Sequence, residues 1–232
     1  MEIERALFSA GGARVVIANA EWIKREIGQH FGFPAERTHV VYNGVPAFHA
    51  PPNARADIGI GPDEYVLLFA GSGWERKGLR FAIDAVKAAT ASRPTLLVAG
   101  RGPAREMPRV RFLGPVTNMS RVLAAADAFL LPTLYEPFSN ACLEALAAGL
   151  PVLTTEHNGF AEIIERDVEG EVFADPRDIA KIAAGIDAWA DQERRAAVRP
   201  LLLEKAARFT VEANLRSTLA IIEKSRETPR TA

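Results

Sequence analysis

From residue 63 onward, short continuous apolar runs alternate with segments of helical periodicity. No other feature constrains the fold as tightly. Runs at 65–70, 95–99, 110–113, 128–131 and 152–155, with a weaker one at 170–173, read as buried strands. Helices are expected at 79–90, 119–125, 140–148, 161–165 and 179–189, then at 193–209 and 211–226. Strands without polar alternation, each followed by a helix, imply a parallel sheet covered on both faces. Right-handed crossovers make that an α/β doubly wound parallel sheet, Rossmann-like in plan.

The first 46 residues carry a smaller version of the pattern, with strands at 13–18 and 38–42 around a helix at 21–31. Residues 47–62 shift to Pro, Gly and Ala without a period and read as a linker. The division expected is 1–46, linker 47–62, a domain at 63–190 and C-terminal helices at 191–232, with 228–232 frayed. A length of 232 residues holds one such domain and part of another, not two full nucleotide-binding domains. The 28 basic residues against 29 acidic leave no electrostatic footprint for nucleic acid, so none is expected as a partner. The lone Cys142 excludes an internal disulfide and a Cys-based zinc site. No apolar stretch reaches the roughly 18–20 residues that cross a bilayer. Acids at Glu2 and Glu4 do not suit a signal peptide, and a cytoplasmic location is expected.

Ligands in a doubly wound sheet sit where strands end, so the loops after strands carry the functional information. Gly71-Ser72-Gly73-Trp74-Glu75-Arg76-Lys77-Gly78 follows one strand and opens a helix. It fails the dinucleotide fingerprint, because Arg76 stands where a third Gly is needed. It also fails the Walker A pattern, because Leu79 and Arg80 follow Gly78. What remains is a guanidinium and an ammonium beside the permissive Gly71 and Gly73. That pair suits a diphosphate; the alternative, a solvated pair at a helix start, is slightly disfavoured by the helix dipole, which tilts the reading toward a bound anion.

The loop Pro132–Asn140 precedes the helix at 140–148, and Ser139 and Asn140 are N-cap types. The amides of Phe138, Ser139 and Asn140 are expected to face the same crevice as Arg76 and Lys77 and to receive an anion. Glu136 lies in the loop and Glu144 within the helix, placed to reach different parts of one ligand. Glu144 has an alternative reading as an acid complementing the helix dipole. The turn at 158–162 reads as structural, with Glu162 fixing a loop or a dipole.

Together these residues resemble the C-terminal, donor-binding half of a GT-B glycosyltransferase of the large retaining family four. The resemblance rests on Arg76-Lys77-Gly78, on Gly100–Pro103, on residues 110–114, and on Glu136-Pro137-Phe138-Ser139-Asn140-Ala141-Cys142-Leu143-Glu144-Ala145 followed by Gly149-Leu150-Pro151-Val152. Residues 13–19 and 40–45 look like the last elements of that family's N-terminal domain. Within the family the pattern leans toward lipopolysaccharide-core transferases.

The resemblance implies that Arg76 and Lys77 hold the diphosphate of a UDP-sugar or other NDP-sugar and stabilise charge on the leaving group. It further implies that Glu144 binds the ribose, that Glu136 touches the transferred sugar, and that backbone near Val116 flanks the base. No Asp-x-Asp motif is present, and no cofactor or metal is expected. The acceptor, a sugar or glycolipid, belongs to a preceding domain of which 1–46 is the end. On this reading the chain is incomplete by itself and, in a full-length protein, peripheral at the inner membrane. Ser72 and Ser139 depart from the family pattern, which has Arg and Gly there. The competing expectations are a non-catalytic nucleotide-sugar-binding module that docks on a partner, and an epimerase on the same plan.

Overall fold

A computed structural model describes residues 2–9 and 12–227. The tail 228–232 lies outside them. The elements run α1 Glu2–Leu7, β1 Val16–Ala18, α2 Glu21–Phe31, β2 Thr38–Val40, α3 Ala54–Asp57, β3 Val66–Ala70, α4 Leu79–Ala88, β4 Thr95–Ala99, β5 Val110–Gly114, α5 Met119–Ala125 and β6 Ala128–Leu131. They continue with α6 Asn140–Ala147, β7 Val152–Thr155, β8 Gly170–Phe173, α7 Ile179–Ala188, α8 Gln192–Ala206 and α9 Val211–Glu227.

Six strands form one parallel sheet in the order β5-β4-β3-β6-β7-β8. The chain builds outward from β3 to one edge, then returns to lay β6 on the other side of β3. The order therefore reverses between β3 and β6, and the crevice at their carboxyl ends is the switch point where such sheets bind ligands. β3, β6 and β7 are buried along their whole length. Leu67, Leu68, Phe69, Phe129, Leu130 and Leu131 have no exposed surface, which is why their sequences lack alternation. The doubly wound sheet expected from the sequence is the one observed.

The edges are handled differently. β5 turns Arg111 outward, and its guanidinium donates to the carbonyls of Gly59 (2.9 Å) and Ile58 (2.7 Å), tying residues 58–59 to that edge. Those residues follow α3, a single turn that the sequence analysis did not anticipate. Arg55 holds it by donating to the carbonyls of Gly61 and Ala125 and to the Asp127 carboxylate. On the far side of the sheet, Trp189 is fully buried and donates to Glu171 Oε1 at 2.9 Å.

β1 and β2 form a separate two-stranded parallel pair. β1 is shorter than the expected 13–18, because the carbonyls of Ala13 and Arg14 are taken by the Arg37 guanidinium. The helix expected at 161–165 is instead a single 3₁₀ turn, Gly159–Glu162. Its first residue is committed to the neighbouring loop, with the Gly159 amide donating to Glu136 O at 3.0 Å. The Glu162 carboxylate then turns away to meet α2. Among the described residues no helix is long and apolar enough to cross a membrane.

Candidate functional site

The loop 71–78 is shaped by its own glycines. Gly71 (φ +134) lies under the Lys77 side chain so closely that a Cβ there would stand 2.8 Å from Lys77 Cδ and Cε. Gly78 (φ +77) packs against the loop after β6, where a Cβ would meet the Pro132 carbonyl oxygen at 1.9 Å. Two further bonds fasten the loops together, from the Leu134 amide (2.9 Å) and the Thr133 hydroxyl (3.0 Å) to Arg76 O. The Lys77 side chain runs across Gly71 toward the loop that carries Glu136.

Along that path Lys77 Nζ donates to Glu136 Oε2 at 2.7 Å, and Arg76 Nη1 reaches the same oxygen at 3.2 Å. Arg76 also donates to the Tyr135 carbonyl. Lys77 and Glu136 expose 13% and 12% of their side chains and Arg76 exposes 46%. The lysine pair is thus held in a low-dielectric pocket, while the guanidinium stays partly in water. Three residues nominated separately from two loops form one cluster.

The helix start beside it differs from expectation in one respect. Ser139 is the N-cap of α6, its hydroxyl accepting from the Cys142 amide at 3.3 Å. Its own amide, expected to be open to an anion, donates to Asn158 Oδ1 at 3.2 Å, and Ser139 and Phe138 are both buried. The orphan amides of the first turn are therefore those of Asn140 and Ala141, one residue further on. The Asn140 side chain accepts from Asn43 Nδ2 at 2.7 Å.

Glu144, one turn along α6, is half-buried and has no side-chain partner among the described residues. Burial alone raises its pKa above the ordinary carboxylate range. An ionisable group left half-desolvated without a partner is one that a ligand hydroxyl can satisfy. Val116, after β5, is partly buried and packs against the core. Gly73 (φ +74) has open space where a Cβ would be. Cys142 is buried under the helix start, its thiol pushed up to about 12 mainly by desolvation. His157 is exposed, and its carbonyl receives the Glu136 amide at 2.8 Å.

Of the other contributors, only Glu162 was singled out from sequence. Trp74 donates from its indole to Gly71 O at 2.9 Å and lies where a Cβ on Gly102 would stand, so the loops after β3 and β4 interlock. Its ring meets Phe112 at 5.5 Å. From the N-terminal segment, Trp22 donates to Pro137 O at 3.1 Å, and Tyr135 donates back to Glu26 at 3.0 Å. Glu162 accepts from the amides of Glu21 (2.8 Å) and Trp22 (2.7 Å) and from the Tyr42 hydroxyl (3.1 Å). The β1–α2–β2 segment is therefore bolted onto the loop that presents Glu136.

The profile of the family described as Glycosyl transferases group 1 matches residues 64–192, more than half of the chain, and that of Glycosyltransferase Family 4 matches residues 1–47. The chain belongs to the group 1 glycosyl transferases. It is 31% identical over 194 residues to an uncharacterized glycosyltransferase, MJ1607, of Methanocaldococcus jannaschii, a match covering 74% of this chain and 50% of that one. Its fold superposes on the crystal structure of WaaG, a glycosyltransferase involved in lipopolysaccharide biosynthesis. There the TM-score is 0.81 at 25% identity, with 95% of this chain and 66% of that chain covered. Anabaena Alr3699/HepE, solved in complex with UDP and glucose, shares the fold at TM-score 0.79 and 23% identity, over 92% of this chain and 64% of its own. This glycosyl transferase chain spans about half the length of the curated relatives it matches. Its sheet and switch-point crevice are the GT-B half expected from the sequence.

Proposed function

We propose that this chain supplies the donor site of a retaining glycosyltransferase that moves a hexose from a nucleoside-diphosphate sugar to an acceptor. The observation that carries the reading is the convergence of Lys77, Arg76 and Glu136 beside the start of α6. Two cations and the free amides of a helix N-terminus fit a diphosphate, and Arg76 can grip it bidentately. As the glycosidic bond breaks, negative charge builds on the departing diphosphate, and the same groups are already aimed at it. Glu144 accepts from the ribose hydroxyls. Glu136 faces the transferred sugar, and residues near Val116 line the base. The names of relatives that act in lipopolysaccharide synthesis, and the UDP and glucose bound to a protein of the same fold, support this choice.

In this reading residues 63–190 are the nucleotide-sugar domain and 1–46 the end of an acceptor domain. The acceptor sugar or glycolipid is presented by that further domain. Arg76, Lys77 and the helix start do the electrostatic work without a metal. Retention and a hexose donor are the parts of this proposal supported by resemblance alone.

A second reading is a nucleotide-sugar-binding module without chemistry of its own, because cations and helix amides that fit a diphosphate serve binding as well as catalysis. Assaying donor hydrolysis and sugar transfer, with and without a supplied acceptor domain, separates the two. Transfer that appears when the domain is supplied supports the transferase. Donor binding with no turnover in either case supports the module.

A further inference from the structure

Beneath the cation cluster lies one fully buried polar side chain for which neither the diphosphate nor the sugar accounts. Asn158 is 1% exposed, at the end of the loop after β7. Its Oδ1 accepts from the amides of Ser139 (3.2 Å) and Phe160 (3.1 Å). Its Nδ2 donates to Thr154 Oγ1 (3.0 Å) and approaches Cys142 Sγ at 3.4 Å. Two acceptor sites and two donor hydrogens are the whole capacity of a carboxamide, and all four are engaged. The orientation is fixed as well. The Thr154 hydroxyl donates to Leu131 O at 2.8 Å, so toward Asn158 it can only accept.

The backbone around Asn158 grips Glu136 from both sides. The Glu136 amide donates to His157 O at 2.8 Å, and the Gly159 amide donates to Glu136 O at 3.0 Å. A residue that merely closed a turn would need only its bond to Phe160. The bonds to Ser139, Thr154 and Cys142 leave the turn and join β7, the cap of α6 and the loop bearing Glu136.

We infer that Asn158 is a positioning residue of the donor site. Its carboxamide sets the backbone of residues 136–140 relative to β6 and β7. It thereby places Glu136 against Lys77 and sets the direction of the open amides of α6. The inference rests on reading this site as a nucleotide-sugar site. By occupying the Ser139 amide, Asn158 also decides which amides are left for the ligand.

The test is Asn158→Asp, which keeps Oδ1 and the shape but, when ionised, replaces the donating nitrogen by an oxygen facing the Thr154 lone pair and the Cys142 sulfur. A carboxyl buried there is held toward its protonated form by desolvation, and once protonated it can donate again. The titratable groups around it are the Cys142 thiol in contact, Lys77 and Glu136 beyond that thiol, and the exposed Glu156 and His157 in its own loop. UDP affinity is measured by calorimetry, as the ratio to wild type at each pH, with circular dichroism recording the fold. The expected ratio is a loss of about tenfold or more near pH 8, recovering to within about threefold near pH 5.5. Thr154→Val introduces no charge, removes the hydroxyl that accepts from Asn158 and donates to Leu131 O, and is expected to weaken UDP several-fold at both pH values.

UDP binding by Asn158→Asp that equals wild type at both pH values overturns the inference. So does a lowered melting temperature with UDP affinity intact. Should Asn158→Asp fail to fold, unchanged UDP affinity in Thr154→Val overturns it. Wild-type protein that binds no nucleoside diphosphate defeats the site reading itself, a result distinct from either.

Discussion

Lys77 Nζ stands 2.7 Å from Glu136 Oε2, so the ammonium suited to a diphosphate is matched, within the chain itself, by the carboxylate suited to a sugar. On the proposed reading a diphosphate competes with Glu136 for the same cation, and charge links donor binding to sugar contact. The predictions that follow from this arrangement have opposite signs for its two members.

Lys77→Ala is expected to weaken nucleoside-diphosphate binding at least about tenfold, or about 1.4 kcal/mol. It should also lower stability by about 1–2 kcal/mol. Glu136 loses its close partner in a poorly solvated pocket, and Arg76 at 3.2 Å compensates only in part. Calorimetry and denaturant melts measure the two effects separately.

Glu136→Gln should do the reverse to binding. Removing a negative charge beside Lys77 and Arg76 frees both for the ligand, so UDP itself is expected to bind a few-fold more tightly (about 0.5–1 kcal/mol). Sugar transfer by the assembled enzyme should fall. Weaker UDP binding by this variant would show that Glu136 does not compete for the cations.

Glu144→Gln separates stability from function. Burial raises the folded pKa of Glu144, so its contribution favours the fold below the ordinary carboxylate range and is lost as pH rises through the raised value. At neutral pH the ionised, unpartnered side chain is a net cost. The variant should melt about 1–3 °C higher near pH 7, with the difference vanishing near pH 4. Its UDP affinity should nonetheless drop by about tenfold, through loss of a charged acceptor for the ribose. Melting curves across pH and one titration check both halves.

These residues also mark how far the sequence is legible. β4, β6, β7 and β8 begin and end at the expected residues, because continuous apolar runs bounded by Gly, Pro or charge leave a buried strand few alternatives. Arg76, Lys77, Glu136 and Glu144 could be nominated because strand ends in this topology are where ligands sit. Three of the features that differ from the sequence reading depend on side-chain bonds distant in sequence. Arg37 shortens β1 from 23 and 24 positions away. Arg55 creates α3 through Gly61, Ala125 and Asp127. Glu162, readable as an acid fixing a loop or dipole, caps α2 instead of its own turn, from 140 and 141 positions along the chain. Local pattern carries no information about partners so distant.

Glu162→Ala tests that last bond. Two amides and the Tyr42 hydroxyl lose their acceptor, and a cost of about 1–2 kcal/mol is expected. Hydrogen exchange at Glu21 and Trp22 should accelerate while the amides of β3 and β6 stay protected. Uniform acceleration across the sheet would argue against a local clamp.

The central claim is that Arg76, Lys77 and the start of α6 form a nucleoside-diphosphate site. Calorimetric titration of the chain with UDP, GDP and ADP in EDTA tests it most directly. One of the three should bind at sub-millimolar to millimolar concentration without a divalent metal, and Lys77→Ala should weaken it at least about tenfold. Absence of heat from all three at millimolar concentration, or equal binding by Lys77→Ala, would contradict it.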